Sequence, residues 1–234
     1  DHLTARVLLI CDHASNAVPP ELGALGLSEE DLADHIGWDI GALSLCRALT
    51  PMLQARLVHC GFSRLVADAN RWPDRTGVIP EVSDGRSIPA NQGMTPEAFA
   101  ARIAAYHAPY HSALAAEVSG FLAACPDGLV LAVHSFTPVM KGQPRPWQAG
   151  VLWNGDAPTA RRLIARLRAL GVVTGDNEPY SGKFYNDTLD RHAAPHGARQ
   201  VSLEVRQDLI SSAAGVEAAA QLLGPALLDL CDPD

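Results

Sequence analysis

The sequence lacks any run of about 18 consecutive apolar residues, the length that a helix needs to cross a membrane. It also lacks an excess of positive charge, because the formal net charge is -8 at pH 7. An acidic protein is a poor general binder of nucleic acid or anionic lipid, although local arginines can still hold a small anionic substrate. The visible N-terminus shows no signal-peptide pattern, so we expect a cytoplasmic protein, with an export signal lost ahead of the visible start as the alternative.

The sequence also lacks the cysteine pattern of a disulfide-bonded protein. The cysteine count is odd, no CxxC occurs, and the five residues are Cys11, Cys46, Cys60, Cys125 and Cys231. Four of them lie in apolar stretches, which is typical of buried thiols in a reducing compartment and not of a disulfide framework. Cys11 stands two residues before a histidine, so a catalytic thiol is an alternative, although a core cysteine is commoner.

Apolar sequence is present in an amount that supports a core. Hydrophobic residues make up 47% of the 234 residues, and charged residues make up 19%. No internal repeat or sharp change of composition divides the chain, so we predict one domain over residues 1–234.

Strand and helix patterns alternate along the chain. We predict strands at 6–12, 56–60, 129–134, 150–153 and 201–205, and helices at 28–53, 95–124, 158–170 and 211–230. Pro109 is expected to kink the second helix, and the segments 72–95 and 174–182 are predicted loops. This alternation predicts an α/β fold with a mostly parallel or mixed central sheet and helices on both faces.

Three predicted strands end in side chains that bind metals or move protons. They carry Asp12 and His13, then His134 and Ser135, and finally Glu204 and Arg206. Ligands gather beyond the carboxyl ends of strands in open parallel sheets, and a glutamate in an apolar strand is costly unless it is paired or near a metal. Each histidine alone is more often a core residue, but the three strand ends together resemble a hydrolytic zinc site with an open position for water.

Two carboxylates are candidates for a third metal ligand. Asp39 lies in "HIGWDIG", within the first predicted helix and between two glycines that permit close approach to another backbone. Asp68 lies in "SRLVADANR", which also contains Arg64, Asn70 and Arg71. Because arginine binds carboxylates in a bidentate manner, this cluster favours an anion pocket, with a local Arg–Asp ion pair as the alternative.

Two further groups of polar residues could face the same site. His107 and His111 are four residues apart and share one helix face, but position 108 is Ala, so the HExxH glutamate is absent. A substrate-contact role is favoured over metal ligation, with helix packing as the simpler alternative. Tyr180 and His192 lie in polar loops that could cover the site, and ordinary turns are the alternative there.

Several stretches together resemble the N-formylglutamate amidohydrolase family. They are "CDHASNAVP", "GWDIGA", "SRLVADANR", "YHAPYHSAL", "AVHSFTP", "DNEPYSG" and "SLEVRQDLI", and they span about positions 10 to 210. The family is similar to zinc carboxypeptidases and zinc-dependent cell-wall amidases, so the resemblance implies a zinc-exopeptidase-like (phosphorylase/hydrolase-like) fold. It implies one Zn²⁺ or other divalent ion on His13, Asp39 and His134, with Glu204 as general base. Asn16 replaces the carboxypeptidase glutamate, so Asp39, Asn16 and Asp68 stay open as the third ligand.

The resemblance also implies a small anionic N-acyl amino acid as substrate. N-formylglutamate would give formate and glutamate, as in histidine catabolism. The expected substrate contacts are Arg64, Asn70, Arg71, His107, Tyr180, His192 and Arg206, and the expected supports of the site are Asp12, Asn16 and Ser135. The alternatives are a zinc carboxypeptidase or cell-wall amidase acting on a short peptide, and a non-catalytic ligand-binding relative. No nucleic-acid or membrane partner is expected, and the oligomeric state stays open.

Overall fold

A six-stranded mixed sheet forms the centre of the protein in a computed structural model that describes residues 5–231. In chain order the strands are β1 (Val7–Cys11), β2 (Arg56–His59), β3 (Val82–Ser83), β4 (Arg86–Ser87), β5 (Leu129–Phe136), β6 (Val139–Met140), β7 (Gln143–Pro144), β8 (Ala149–Leu152), β9 (Thr174–Asp176) and β10 (Arg199–Arg206). The order in the sheet is β2-β1-β5-β10-β8-β9, and β3–β4 and β6–β7 are separate hairpins. The first four strands of that order are parallel, and β8 and β9 run against them. The predicted α/β fold with a mixed sheet is confirmed.

Seven α-helices accompany the sheet within the described residues. They are α1 (Glu29–Ala33), α2 (Ala42–Leu53), α3 (Pro96–Arg102), α4 (Ala108–Ala124), α5 (Ala157–Ala169), α6 (Asp187–His192) and α7 (Ala213–Leu228). Side-chain oxygens of Ser28, Thr95, Asp156 and Ser212 accept backbone N–H groups at the starts of α1, α3, α5 and α7. These caps satisfy donors that have no partner inside the helix. None of the helices in residues 5–231 is long and apolar enough to span a membrane.

The two faces of the sheet bury different side chains. Leu9, Leu131 and Leu203 pack against α2, α5 and α7 on one face. Leu8 and Ala132 pack against α4 and α6 on the other face. Because successive strand residues point to opposite faces, the apolar strands supply both cores at once. The predicted helices on both faces are therefore present.

The predicted helix over 28–53 is wrong in its middle. α1 ends at Ala33, and a turn occupies 34–41 before α2 begins at Ala42. Gly41 adopts φ +81, and a Cβ there would lie 2.2 Å from the carbonyl oxygen of Ile210. Glycine tolerates both the left-handed conformation and the close approach, so the chain leaves the helical path here. The turn, and not a helix, carries Asp39.

Other differences are local. The predicted loop 174–182 begins with edge strand β9, and α6 was not predicted at all. The irregularity expected at Pro109 is a π-helical segment, Ile103–His107, that lies just before α4. A proline ring crowds the carbonyl four residues earlier and removes one N–H, so a widened turn ahead of Pro109 accommodates it without a break.

Candidate active site

A cavity of about 460 Å³ opens where β1, β5 and β10 end. The predicted site residues that line it are His13, Asp39, Arg64, Asn70, Arg71, His134, Ser135, Tyr180 and Glu204, together with Asp68. The sheet explains part of this convergence, because Glu204 and His134 are partners in the parallel β10–β5 register. Side chains at one register position share a face, so both project from the carboxyl end on the α4 and α6 side.

Three buried side chains can hold a metal ion. Ligand atoms of His13, Asp39 and His134 lie within 4.8 Å of one another, and within residues 5–231 no other group of three metal-binding side chains does so. Asp39 Oδ2 is 2.9 Å from His134 Nδ1 and 3.3 Å from His13 Nδ1. Two imidazoles and one carboxylate form a ligand set that catalytic Zn²⁺ sites use, with a position left for water. The donor chemistry therefore fits a divalent ion.

Backbone contacts hold Asp39 in this cluster. The Asp39 N–H donates to the His13 carbonyl at 2.9 Å, which joins the 34–41 turn to the end of β1. Gly37 accepts hydrogen bonds from Ser63 Oγ at 2.7 Å and from the Arg64 N–H at 3.3 Å. The Ser135 N–H also approaches Asp39 Oδ2 at 3.3 Å, and Ser135 Oγ donates to the Ile40 carbonyl at 2.8 Å. The turn is thus anchored on three sides.

A carboxylate faces the far nitrogen of each histidine. Asp68 Oδ1 is 2.6 Å from His13 Nε2, and Asp12 Oδ2 is 3.8 Å from His134 Nε2. Tyr110 donates its hydroxyl to Asp12 Oδ1 at 2.7 Å. A carboxylate at Nε2 favours a proton on that nitrogen, which leaves the Nδ1 lone pair for a metal. Asp68 therefore lies on the side of the His13 ring opposite to Asp39.

The three alternatives for the third ligand are separated by this geometry. Asp39 belongs to the cluster, and Asp68 contacts the far side of His13. Asn16 is half-buried and is not among the residues that line the cavity. Residues 14–19 form an irregular connection between the end of β1 and Pro20, and Asn16 lies in this connection.

Burial and charge together set the proton affinities of the metal-free site. Burial and the charge of Arg64 act to lower the pKa of His13. The carboxylates of Asp68 and Asp39 outweigh both effects and raise the pKa to about 9. Burial would raise the pKa of the Asp39 carboxyl, yet the neighbouring His13 and His134 hold it well below its usual range. Burial raises the pKa of Glu204 to about 7. Glu204 Oε2 is buried without a hydrogen-bond partner in the described chain, so it can exchange a proton near neutral pH.

Both arginines of the predicted anion pocket are also ion-paired. Arg64 donates to Asp39 Oδ1 at 3.3 Å and to Asp68 Oδ2 at 3.0 Å. Arg71 donates from Nε to Asp68 Oδ2 at 3.3 Å and from Nη1 to the Thr76 carbonyl at 3.4 Å. The alternative of a local Arg–Asp ion pair is therefore present, and because both arginines also line the cavity, an anion pocket stays a prediction.

The histidines of "YHAPYHSAL" do not line the cavity, so their position does not support the predicted substrate contact of His107. His107 Nε2 bonds to the Arg71 carbonyl at 2.9 Å, and His111 Nε2 bonds to the Ala69 carbonyl at 2.9 Å. His192 is also away from the cavity, since its Nε2 bonds to His111 Nδ1 at 2.8 Å. A carbonyl oxygen can only accept, so His107 and His111 carry protons on Nε2 and hold the backbone on either side of Asn70.

Two other expected substrate contacts, Arg206 and Asn70, are bound to groups of the protein itself. Arg206 forms an ion pair with Asp208 at 2.8 Å and donates to the Arg145 and Trp147 carbonyls, so it turns away from the cavity. Asn70 does line the cavity, but its Oδ1 accepts the Thr188 N–H at 3.1 Å and thereby fastens the start of α6. Their positions in the sequence placed both residues near predicted strand ends. Those positions could not indicate which hydrogen-bond and ion-pair partners each side chain would have.

The alternative of a catalytic thiol is not supported. Cys11 is fully buried in the core that covers the α2 side of the sheet. A hydrogen bond with Cys46 and burial both raise the pKa of the Cys11 thiol well above its usual value. A nucleophilic cysteine needs the opposite shift.

Several cavity residues were not predicted. They are Ser83, Asp84, Met140, Lys141, Phe184 and Tyr185. Four of them belong to the β3–β4 and β6–β7 hairpins, whose two-residue turns are Asp84-Gly85 and Lys141-Gly142. All four turn residues have positive φ, as hairpin turns of this type require. An Asp-Gly pair is a hairpin signal, so the first of these turns could have been recognised in the sequence.

The likeness to known proteins agrees with this geometry. The sequence profile of the family described as N-formylglutamate amidohydrolase matches residues 5–211. A crystal structure of a gene product from Agrobacterium tumefaciens is 35% identical, with 97% of this chain and 92% of that chain covered and a TM-score of 0.91. An N-formylglutamate amidohydrolase from Ralstonia eutropha JMP134 is 18% identical, with 97% and 93% covered and a TM-score of 0.77, which is a likeness of fold. No curated protein matches the chain.

Proposed function

Because the chain belongs to the N-formylglutamate amidohydrolase family and is thereby a hydrolase of amide bonds, we propose that it is a zinc enzyme for N-formylglutamate or a close N-acyl relative. His13, Asp39 and His134 would hold one Zn²⁺, and another divalent ion is the alternative, because imidazole also suits Fe²⁺, Ni²⁺ and Cu²⁺. The observation that carries the proposal is the approach of both Nδ1 atoms to Asp39 Oδ2, at 2.9 Å and 3.3 Å. A bound Zn²⁺ would supply a Lewis acid that polarises a carbonyl and makes water more acidic.

Glu204 is the proposed general base. Its carboxylate takes a proton from the attacking water and then passes a proton to the leaving amine. Burial supports this role, because it raises the pKa of Glu204 to about 7, where a carboxylate both accepts and returns a proton readily. Its unpaired Oε2 supports it as well, since the atom is not committed to another described group.

The arginines take electrostatic roles. Arg64 is half-buried and ion-paired with Asp39 and Asp68 at the cavity, where its charge stabilises the developing oxyanion of the tetrahedral intermediate. Arg71 lines the cavity and binds the α-carboxylate of the amino acid. His107 donates a hydrogen bond to the Arg71 backbone carbonyl and so helps to position this residue. With N-formylglutamate the products are formate and glutamate, and we propose that the enzyme acts in histidine catabolism in the cytoplasm.

Metal analysis combined with a substrate panel tests the proposal. Purified protein is assayed for zinc and for formate release, then stripped with a chelator and reloaded with Zn²⁺. The panel contains N-formylglutamate, N-acetylglutamate, N-formylaspartate and short peptides. We expect turnover of N-formylglutamate that disappears on chelation and returns with Zn²⁺. Full activity after chelation would exclude the metal mechanism.

The same panel separates the alternatives. Cleavage of peptides without cleavage of N-formylglutamate would indicate a carboxypeptidase or cell-wall amidase. Binding of panel members without any turnover would indicate a non-catalytic relative.

A further inference from the structure

A substrate with an acidic side chain presents two carboxylates, so the cavity needs two cationic positions. Three cationic side chains that carry a permanent charge line it, namely Arg64, Arg71 and Lys141. A fourth candidate from the sequence, Arg206, is paired with Asp208 outside the cavity. Which of the three binds the second carboxylate depends on how far each is already committed to groups of the protein.

The two arginines are engaged by the protein itself. Arg64 bridges Asp39 and Asp68, with distances of 3.3 Å and 3.0 Å. Arg71 contacts Asp68 at 3.3 Å, and its guanidinium lies 6.0 Å from the centre of the Tyr185 ring. Arg71 donates from Nε and Nη1 to oxygens of the protein, which leaves Nη2 for one carboxylate, whereas Arg64 already balances two acids. Neither arginine is left to bind a second substrate carboxylate.

Lys141 differs from both arginines. It lies at the tip of the β6–β7 hairpin, lines the cavity, and makes no ion pair with any described residue. The two-residue turn Lys141-Gly142 has φ values of 49° and 76°, so the tip is a tight turn. A tight turn places the base of the lysine side chain at the cavity mouth, from which its ammonium can reach inward.

An acid that lines the same cavity, Asp84, is already paired with another side chain. Asp84 lies at the tip of the β3–β4 hairpin and also lines the cavity. His35 Nε2 holds Asp84 Oδ2 at 3.0 Å, and His35 Nδ1 contacts Asp34 at 2.9 Å. Asp84 is therefore drawn toward the α1 side of the mouth, and Lys141 keeps its charge available for a ligand.

We propose that Lys141 binds the side-chain carboxylate of the substrate and so makes the enzyme selective for acidic N-acyl amino acids. This inference rests on the proposed function for the identity of the reaction, and it adds the residue that determines specificity. An ammonium at the cavity mouth attracts a terminal carboxylate and gains little from a neutral amide of the same shape. A comparison of glutamate and glutamine derivatives therefore measures how much Lys141 contributes to binding of the side-chain carboxylate.

Kinetics with matched lysine variants are the first test. The sequence contains two lysines, Lys141 and Lys183, and Lys183 is exposed and does not line the cavity. Zinc-loaded wild type, Lys141→Met and Lys183→Met are assayed with N-formylglutamate and N-formylglutamine. We expect Lys141→Met to lose about tenfold or more in kcat/KM for the glutamate substrate, mainly through KM, and to keep its rate with glutamine. Lys183→Met should match wild type. Lys141→Arg should keep most of the preference for the glutamate substrate over the glutamine substrate, because it keeps the positive charge.

An unchanged ratio of the two kcat/KM values in Lys141→Met would overturn the proposal, as would an equal loss with both substrates. The second outcome would indicate a structural role of the hairpin.

Equilibrium binding separates this proposal from the proposed reaction. Binding of L-glutamate and L-glutamine to the zinc-loaded proteins is measured by calorimetry without any turnover. Weaker glutamate binding in Lys141→Met alone would support the Lys141 contact even if N-formylglutamate is not hydrolysed. If wild type does not prefer glutamate, or if Lys141→Met keeps the preference, the Lys141 contact is wrong even where hydrolysis is found.

Discussion

Glu204 on β10 and His134 on β5 are register partners on adjacent parallel strands, and both side chains lie at the end of the sheet that opens into the cavity. Strands hold side chains more rigidly than loops do, because their backbones are hydrogen-bonded on both sides. The proposed base and a proposed metal ligand therefore keep their spacing without help from the loops around them.

Replacing Glu204 by Gln should remove the base and leave the metal ligands in place. We expect hydrolysis of N-formylglutamate to fall on the order of 10²- to 10⁴-fold, with zinc content unchanged. Glu217→Gln is the control, since Glu217 is exposed on α7. Single-turnover rates and metal analysis of the same preparations measure both quantities. A Glu204→Gln enzyme within tenfold of wild type would contradict the role of Glu204.

Asp68→Asn should weaken metal binding although Asp68 is not a proposed ligand. Asp68 Oδ1 lies 2.6 Å from His13 Nε2 and keeps the ring oriented and its Nδ1 available. Loss of such a partner typically weakens metal affinity by about 10- to 100-fold. The zinc dissociation constant is measured by competition with a chelating dye, and Asp74→Asn is the control on an exposed neighbour. If both variants bind zinc as wild type does, Asp68 does not orient His13.

Gly41→Ala should disturb the turn that carries Asp39. Gly41 and Gly171 have nearly the same φ, +81 and +80, but an added Cβ would lie 2.2 Å from the Ile210 carbonyl oxygen at Gly41 and would meet nothing within 4 Å at Gly171. Gly171→Ala should cost roughly 1 kcal/mol from strain alone, and Gly41→Ala about 1–3 kcal/mol more. Urea unfolding and zinc titration measure the effects. Equal stability losses, or unchanged zinc binding in Gly41→Ala, would argue against the proposed importance of this contact.

The buried histidine pair between α4 and α6 should make the protein sensitive to acid. Burial lowers the pKa of His111 to about 3 and that of His192 to about 4. In the unfolded chain both values return to about 6.5, so below that pH the unfolded chain binds more protons and stability falls as pH falls. Between pH 7 and pH 5 the loss is at most about 2 kcal/mol per histidine.

Urea unfolding of the metal-free protein at the two pH values measures this loss. The His111→Gln/His192→Gln double variant should lose less stability on acidification than wild type, and the exposed His196→Gln should behave as wild type. His13 acts in the opposite direction, because its pKa is raised to about 9 and its contribution fades as pH rises. That contribution is common to all three proteins, so it cancels in the comparison. A double variant with the wild-type pH dependence would show that the pair does not titrate in this way.

The strand-end residues were the part of the site that could be recognised from the sequence. His13, His134 and Glu204 each adjoin an apolar strand pattern, and strands of a parallel sheet meet at one end. Asp39 was singled out for its flanking glycines, but the same glycines take it out of the predicted helix. For His107, the four-residue spacing identified the correct face of the helix, yet that face meets the Arg71 carbonyl and not the cavity.

Sequence patterns were sufficient to identify five strands of the central sheet and the side chains at their carboxyl ends, and hence to expect that an α/β protein would gather histidines and a glutamate there. Apolar periodicity is a short-range signal, so it can be recognised without knowing the rest of the fold. The hydrogen-bond partners of the site residues depend on the packing of distant segments. His13 meets Asp68 from 55 residues away, and His111 meets His192 from 81 residues away. Such pairings depend on how turns and hairpins pack. For the same reason no sequence pattern indicated that Lys141 lines the cavity.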